Sequence, residues 1–341
     1  MIRFVKYLLA LLALVALSVG AGVGGVYWWF NQPRVTMQEA DMFAPVLFEV
    51  PRGTHGRQLT VMLAEQGYIE HARLNYWAAR LFLDADTIRA GVYAIHPADS
   101  PRSIWQRISA GQQHQFRVTF IEGSEFNHWR NELKQLAYLE RQLDGLSNAE
   151  IMQRVAPDSD WEHPEGLFFP DTYRYTAGTS DLQILRQAYQ RMQSTLEALW
   201  EQRQDGLPIS SPYQALILAS IIEKETGAVH ERDLVASVFV NRLHTGMRLQ
   251  SDPTIIYGLG DNYRGVIYRS DINQYTPYNT YRINGLPPTP IAMPGMEAIR
   301  ATLNPRESDY FYFVSSNDGQ HIFSRTLEEH NRAVYKYQRN R

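Results

Sequence analysis

The sequence predicts an α+β chain with one N-terminal transmembrane helix, and three observations carry that reading. No charged residue occurs from position 7 to position 30. Between positions 46 and 111, β-branched and aromatic runs alternate with helical patterns, giving strand, helix, helical insert, strand, helix. Helical periodicity then governs residues 182–243, and the chain closes on a hairpin and a last helix. The expected division is a tail and transmembrane helix over 1–30, a linker over 31–44, a small α+β unit over 45–116 and a larger α+β domain over 117–341.

At 1.5 Å per residue the uncharged run makes about 36 Å of helix, enough to cross a bilayer. Arg3 and Lys6 precede it, and Tyr27, Trp28, Trp29 and Phe30 form an aromatic belt at its far end. The positive-inside rule places the tail in the cytoplasm and the chain after Arg34 outside. A cleavable signal peptide is the alternative, since Val19-Gly20-Ala21 has the small-residue form of a cleavage site. The apolar run is longer than an ordinary signal core, however. Both readings export the body.

A chain of 341 residues, 44% of them hydrophobic, can bury one large or two moderate cores. Net charge is -3, and -5 once Arg3 and Lys6 are set aside, which argues against nucleic acid as a partner. Cysteine is absent, so there is no disulfide framework or thiolate chemistry, and the redox compartment stays open. The histidines form no HExxH pair and no G-x-S-x-G motif occurs. Gly258-Leu259-Gly260 lacks the strand–helix context of a nucleotide loop. No metal or cofactor is expected, and carboxylate chemistry centred on Glu223, Glu225 and Asp252 remains.

In the small unit, residues 46–50 read as a strand ended by Pro51-Arg52-Gly53, and Leu59, Met62, Leu63 and Gly67 as a helix with a glycine stop. Residues 90–95 form the second strand, and Ser100-Pro101 opens a helix that ends at Gly111. Residues 116–121 alternate as a strand, followed by a helix bearing Trp129, Leu133 and Leu136. Ser211-Pro212 then starts the central helix, in which only Ser220 is polar between Ala215 and Ile222. Such a helix is buried on nearly every face.

Polarity changes abruptly at Glu223, Lys224, Glu225 and Thr226, with Gly227 as the stop. A carboxyl in that last turn sits against apolar neighbours and near the negative end of the helix dipole. Both disfavour the anion, the condition for a general acid. The plain alternative is two solvated glutamates at the frayed end of a structural helix. Glu223 and Glu225 lie about 200° apart around a helix, so the two do not share one groove.

A second helix spans 231–243, with Gly246 as its stop. Residues 247–294 read as a long loop rich in tyrosines beside Asn, Gln and Asp, the flat faces and polar edges a sugar groove uses. A proline-stiffened surface loop with inward tyrosines fits the composition equally. Residues 310–314 and 321–324 flank Asn317-Asp318-Gly319, a hairpin signal, and Thr326-x-x-Glu329 reads as a capping box.

Several motifs occur in order: Ile222-Glu223-Lys224-Glu225-Thr226, Val238-Phe239-Val240-Asn241-Arg242-Leu243, Leu249-Gln250-Ser251-Asp252-Pro253-Thr254-x-x-Tyr257-Gly258, Tyr278-Asn279-Thr280-Tyr281 and Gly285-Leu286-Pro287-Pro288-x-Pro290-Ile291. With Glu165-Gly166-x-x-Phe169-Pro170-Asp171-Thr172-Tyr173 and the single N-terminal span, they resemble the YceG-like family of membrane-anchored endolytic murein transglycosylases. The likeness covers essentially the whole chain. Thr119-Phe120-Ile121-Glu122-Gly123 departs from it, the family more often having proline before that Glu-Gly. The opening of the small unit, Val50-x-x-Gly53-Thr54 with Leu59, Leu63-Ala64 and Gly67, resembles a LysM peptidoglycan-binding module.

The resemblance implies cleavage of the bond between N-acetylmuramic acid and N-acetylglucosamine within peptidoglycan strands, leaving 1,6-anhydro ends. It matches the catalytic glutamate to Glu223, acting first as acid and then as base on the sugar's C6 hydroxyl, so a second carboxylate is not required. Gln250, Asp252, Tyr257 and Asn279 are the expected sugar-positioning residues. Peptidoglycan, the membrane and cell-wall synthases are the implied partners, with the body on the extracytoplasmic side of a bacterial inner membrane. A non-catalytic, membrane-anchored wall-binding protein is the alternative.

Overall fold

The computed structural model of the chain describes residues 2–33, 45–83, 87–159 and 161–339, so residues 34–44 of the expected linker lie outside the described residues. The chain forms two compact units, Met1–Phe116 with Arg174–Gly178, and Arg117–Tyr173 with Thr179–Arg341.

In the first unit, α1 (Ile2–Asn31) is long and apolar enough to cross a membrane. Strands β1 (Val46–Val50) and β2 (Gly91–Ile95) pair antiparallel, Val46 opposite Ile95 and Val50 opposite Gly91. Between them the chain forms α2 (Gly56–Glu65) and α3 (Ala72–Phe82), and after them α4 (Pro101–Ala110). The order is the one the sequence patterns predict. Leu59 and Leu63 stand one turn apart on α2, as Ile104 and Ile108 do on α4, and both pairs pack with Phe48, Tyr93 and Trp105 in one core. Phe30, at the end of α1, is fully buried in that core, and the ring of Tyr27 meets Phe82 edge-on at 5.2 Å. Helix α4 starts where the Ser100 hydroxyl accepts from the Ser103 N–H, with Pro101 in the first turn, and stops at left-handed Gly111.

From β3 (Phe116–Thr119) the chain continues through α5 (Phe126–Gln135), α6 (Asn148–Val155), β4 (Thr172–Tyr175) and α7 (Asp181–Glu201). Next come α8 (Pro212–Glu225), α9 (Arg232–His244), α10 (Asp252–Leu259), α11 (Arg269–Asn273) and α12 (Met296–Leu303). The hairpin β5 (Tyr312–Ser315) and β6 (His321–Ser324) and then α13 (Leu327–Val334) follow. Helix α8 is the centre of the second unit. Every residue from Ala215 to Ile222 is buried, and α7, α9, α10 and α12 all contact the helix. Its one polar core residue is used: the Ser220 hydroxyl donates to the Ile217 carbonyl at 2.7 Å and accepts from the Ile291 N–H at 3.0 Å. Thr326 and Glu329 make the capping box that opens α13.

Residues 247–294 differ from the expected loop, since α10 and α11 lie within them. Ser251 before Asp252-Pro253 is a weaker start signal than Ser211-Pro212, with proline one position later and no capping bond from its hydroxyl. Eight residues also make about two turns, too few for a helical period to stand out.

Among the glycines of this unit at positive φ, Gly166 is also closed in by a rigid neighbour. Gly166 has φ +77°, and a Cβ there would lie 2.4 Å from Cβ and Cγ of Pro290, a ring that cannot swing away. Gly166→Ala is expected to cost about 2 kcal/mol from left-handed strain and overpacking. A lowered denaturant midpoint is the check, and an unchanged midpoint would mean this contact is slack.

Candidate active site

The last turn of α8 sends its two glutamates to different neighbours. Glu223 Oε1 pairs with Arg232 Nη2 at 3.1 Å, and both side chains are only 6% exposed. Its Oε2 accepts from the Gly295 N–H at 2.9 Å, while Arg232 Nη2 also donates to the Thr226 carbonyl at 3.3 Å. The backbone comes close here: a Cβ on Gly295 would lie 2.0 Å from Oε1 of Glu122. Burial, and then the nearby Glu223 charge, raise the Glu122 carboxyl above the usual range. Gly123 and Ser124 exchange backbone hydrogen bonds with Met293 at 2.8 and 2.9 Å. Both Glu223 oxygens are therefore engaged in joining α8 to the start of α9 and to the segment entering α12.

Glu225 faces a cleft of about 460 Å³ lined by Arg242, Gln250, Asp252, Tyr281 and His321 among others. The Ser251 hydroxyl donates to Glu225 Oε1 at 2.5 Å, and the Tyr281 hydroxyl donates to Asp252 Oδ1 at 2.7 Å. Arg242 is fixed by donating to the carbonyls of Leu249 and Phe311, at 2.5 and 2.7 Å. Burial pushes the Glu225 carboxyl up to about 7; the Asp252 charge adds to this, while Ser251 and Arg242 oppose it. Glu225 thus meets the two requirements of a general acid, a titration near neutrality and a polar cleft to work in.

Gln250, at the rim, is held in the left-handed region at φ 51°. That conformation is costly for a side-chain-bearing residue and is kept only where neighbours enforce it. Here Thr280 does so: its carbonyl accepts from the Gln250 N–H at 3.3 Å and its hydroxyl from the Ser251 N–H at 2.9 Å.

Asn279 is 1% exposed and its side chain is fully engaged with backbone. Nδ2 donates to the carbonyls of Asp271, Ile272 and Gln274, and Oδ1 accepts from the Tyr281 N–H at 3.0 Å. It fixes the loop that presents Tyr281. Tyr257 points elsewhere, its hydroxyl donating to Glu165 Oε2 at 3.3 Å and its ring edge-on to Tyr278. Glu165 also accepts from the Phe126 N–H at 3.0 Å, and burial pushes its carboxyl up to about 8.

Of the expected site residues, then, Gln250 and Asp252 share a cleft, and they share it with Glu225. Glu223, Tyr257 and Asn279 are not among its lining residues. Sequence reading missed Arg242 and Tyr281 as cleft residues, Ser251 as the hydroxyl that donates to Glu225, His321 as a further cleft residue and Arg232 as the partner of Glu223. The first three lie inside the quoted motifs, so their signal was present but unranked. His321 read only as a strand residue, and Arg232 only as part of a helix start.

An acid with a raised pKa at the end of a buried helix, facing a polar cleft walled by tyrosine and amide groups, defines a class of protein built for acid–base chemistry on a polar ligand. The YceG-like family model matches residues 48–336, and the chain belongs to that family. It is 28% identical over 330 residues to the endolytic murein transglycosylase of Bacillus subtilis (strain 168), covering 92% of this chain and 91% of that protein. It is 24% identical over 320 residues to the endolytic murein transglycosylase of Streptococcus pneumoniae serotype 2 (strain D39 / NCTC 7466), covering 84% of this chain but 57% of that one. A crystal structure of a YceG-like protein from Listeria monocytogenes matches with TM-score 0.54 and 28% identity, covering 84% of this chain and 98% of that chain.

Proposed function

We propose that this protein is an endolytic murein transglycosylase, cutting the bond between N-acetylmuramic acid and N-acetylglucosamine within peptidoglycan strands and leaving 1,6-anhydro ends. The observation that carries this reading is the Glu225 carboxyl, raised to about 7 in the cleft that also holds Gln250, Asp252 and Tyr281. The names of the relatives support the reaction class.

Geometry favours Glu225 over Glu223 as the proton carrier. Protonated Glu225 gives its proton to the glycosidic oxygen as the bond to C1 breaks. The resulting carboxylate takes the proton from the C6 hydroxyl as that oxygen bonds to C1. Atoms balance without water, and one residue serves both steps. Asp252, oriented by the Tyr281 hydroxyl, faces the positive charge that develops at C1. Gln250 offers an amide to sugar hydroxyls. Tyr257 and Asn279 act from behind, on the Glu165 contact and on the loop.

The first unit, with its LysM-like order of elements, holds the glycan strand. Helix α1 anchors the chain as a single span of the bacterial inner membrane, with the chain after Arg34 on the extracytoplasmic side. There the enzyme reaches strands as they are polymerised, terminating their elongation beside the cell-wall synthases.

Digestion of purified peptidoglycan by the full chain, read by mass analysis, tests the reaction. Products should be lighter by one water than the corresponding reducing-end fragments. Ordinary reducing ends would make the enzyme a hydrolase, and no cleavage would make it a wall-binding anchor. The rate should fall as pH rises through about 7, where Glu225 loses its proton. A rate that instead rises over that range contradicts Glu225 as the acid.

A further inference from the structure

We propose that α3 lies in the boundary of the lipid bilayer beside α1, so that the first unit is held against a phospholipid surface and does not hang free on its span. The proposal rests on the reading of α1 as a membrane span.

Helix α3 turns Asn75, Ala78 and Ala79 into the protein and leaves Leu74, Trp77 and Leu81 38%, 57% and 61% exposed. Their i, i+3, i+7 spacing puts all three on one stripe, an apolar surface that water disfavours. That stripe continues onto α1. Leu74, Trp77 and Leu81 wall an apolar groove of about 360 Å³ together with Val19, Val23 and Val26 of the span.

Depth follows from the helix rise. About 20 residues from Tyr7 use up the roughly 30 Å of a hydrocarbon core, which places Val19, Val23 and Val26 in the leaflet where α1 emerges. Side chains packed beside them stand at the same depth. The chemistry of the rim agrees: Arg73 and Arg80 are exposed and flank the stripe on one side, and the Arg57 guanidinium lies over the ring of Tyr76 at 5.3 Å. Apolar side chains with a tryptophan at the edge and arginines beside them fit an interfacial helix on anionic phospholipid.

Because the chain has no cysteine, single cysteines can carry a spin label without background. Full-length Leu81→Cys, Leu12→Cys and Glu49→Cys would be labelled and reconstituted, one chain per disc, in nanodiscs of phosphatidylcholine and phosphatidylglycerol. Collision with oxygen, which concentrates in lipid, would then be compared with collision with a water-soluble nickel chelate. The labels at 12 and 81 should favour oxygen several-fold over the label at 49. A label at 81 that behaves like 49 while 12 remains in lipid overturns the proposal and leaves the span intact. Shielding of 81 from both reagents means protein covers the stripe, which also overturns it. A water-exposed label at 12 removes the span reading itself, and the proposal with it.

Discussion

Glu225→Gln is expected to fold like the wild type and to lose about 10²- to 10⁴-fold in glycan cleavage, the range for removing a general acid–base group. Glutamine has the shape of the protonated acid and can still accept the Ser251 hydroxyl, so the packing around α8 is kept. What it loses is the proton, which glutamine can neither give to the glycosidic oxygen nor take from the C6 hydroxyl. Stability should respond in a particular direction. The folded-state pKa is raised from 4.5 to about 7, so the wild-type side chain contributes stability fully present below about 4.5 and lost as pH rises through 7. Glutamine has no such dependence, and melting temperatures measured from pH 4 to pH 8 (roughly the interval spanning both values) should shift in the variant's favour at the upper end. Full activity of Glu225→Gln would remove the proton carrier from this cleft.

Much of this arrangement is legible in the sequence because it is local. Ser211-Pro212 announces the start of α8, the apolar run from Ala215 announces its burial, and Thr326 with Glu329 announces α13. Each signal lies within one or two turns of the structure it specifies. The 100° step of a helix also separates Glu223 from Glu225, and their partners are indeed different. Which of them faces the cleft is not a local property. It depends on where Gln250, Asp252 and Tyr281 return to α8, and that return is set by contacts such as Asn279 with the carbonyls of its own loop.

The pairing of Arg232 with Glu223 is hidden for a related reason. Nine residues and a chain reversal separate them, and only the packed structure brings the guanidinium back. In the sequence, Arg232 sits among other charges and looks solvated. The resemblance to a family could locate the motif that holds both glutamates. It assigned the catalytic role to Glu223, although both lie within the same five-residue motif, Ile222 to Thr226, and the motif alone does not say which partner each one meets.

Glu223→Gln should therefore fail differently from Glu225→Gln. Glu223 and Arg232 are both 6% exposed, so removing the carboxylate charge leaves a buried guanidinium without its counter-ion. Breaking such a pair on one side costs about 3–5 kcal/mol, most of it the penalty on the charge left behind. At roughly 2–4 °C per kcal/mol for a unit of this size, the melting temperature should fall by about 6 °C or more. Cleavage at a temperature where the variant stays folded should fall much less than in Glu225→Gln, because the 460 Å³ cleft keeps its acid. The double variant Glu223→Leu with Arg232→Met tests the origin of the loss. It removes both charges at similar volume, so it should recover much of the stability that Glu223→Gln gives up. A double variant no more stable than Glu223→Gln would show that the Gly295 N–H, which glutamine still satisfies and leucine leaves unpaired, costs as much as the stranded guanidinium. A Glu223→Gln protein that melts like the wild type yet no longer cleaves glycan would move the proton carrier to Glu223, and the assignment to Glu225 would fall.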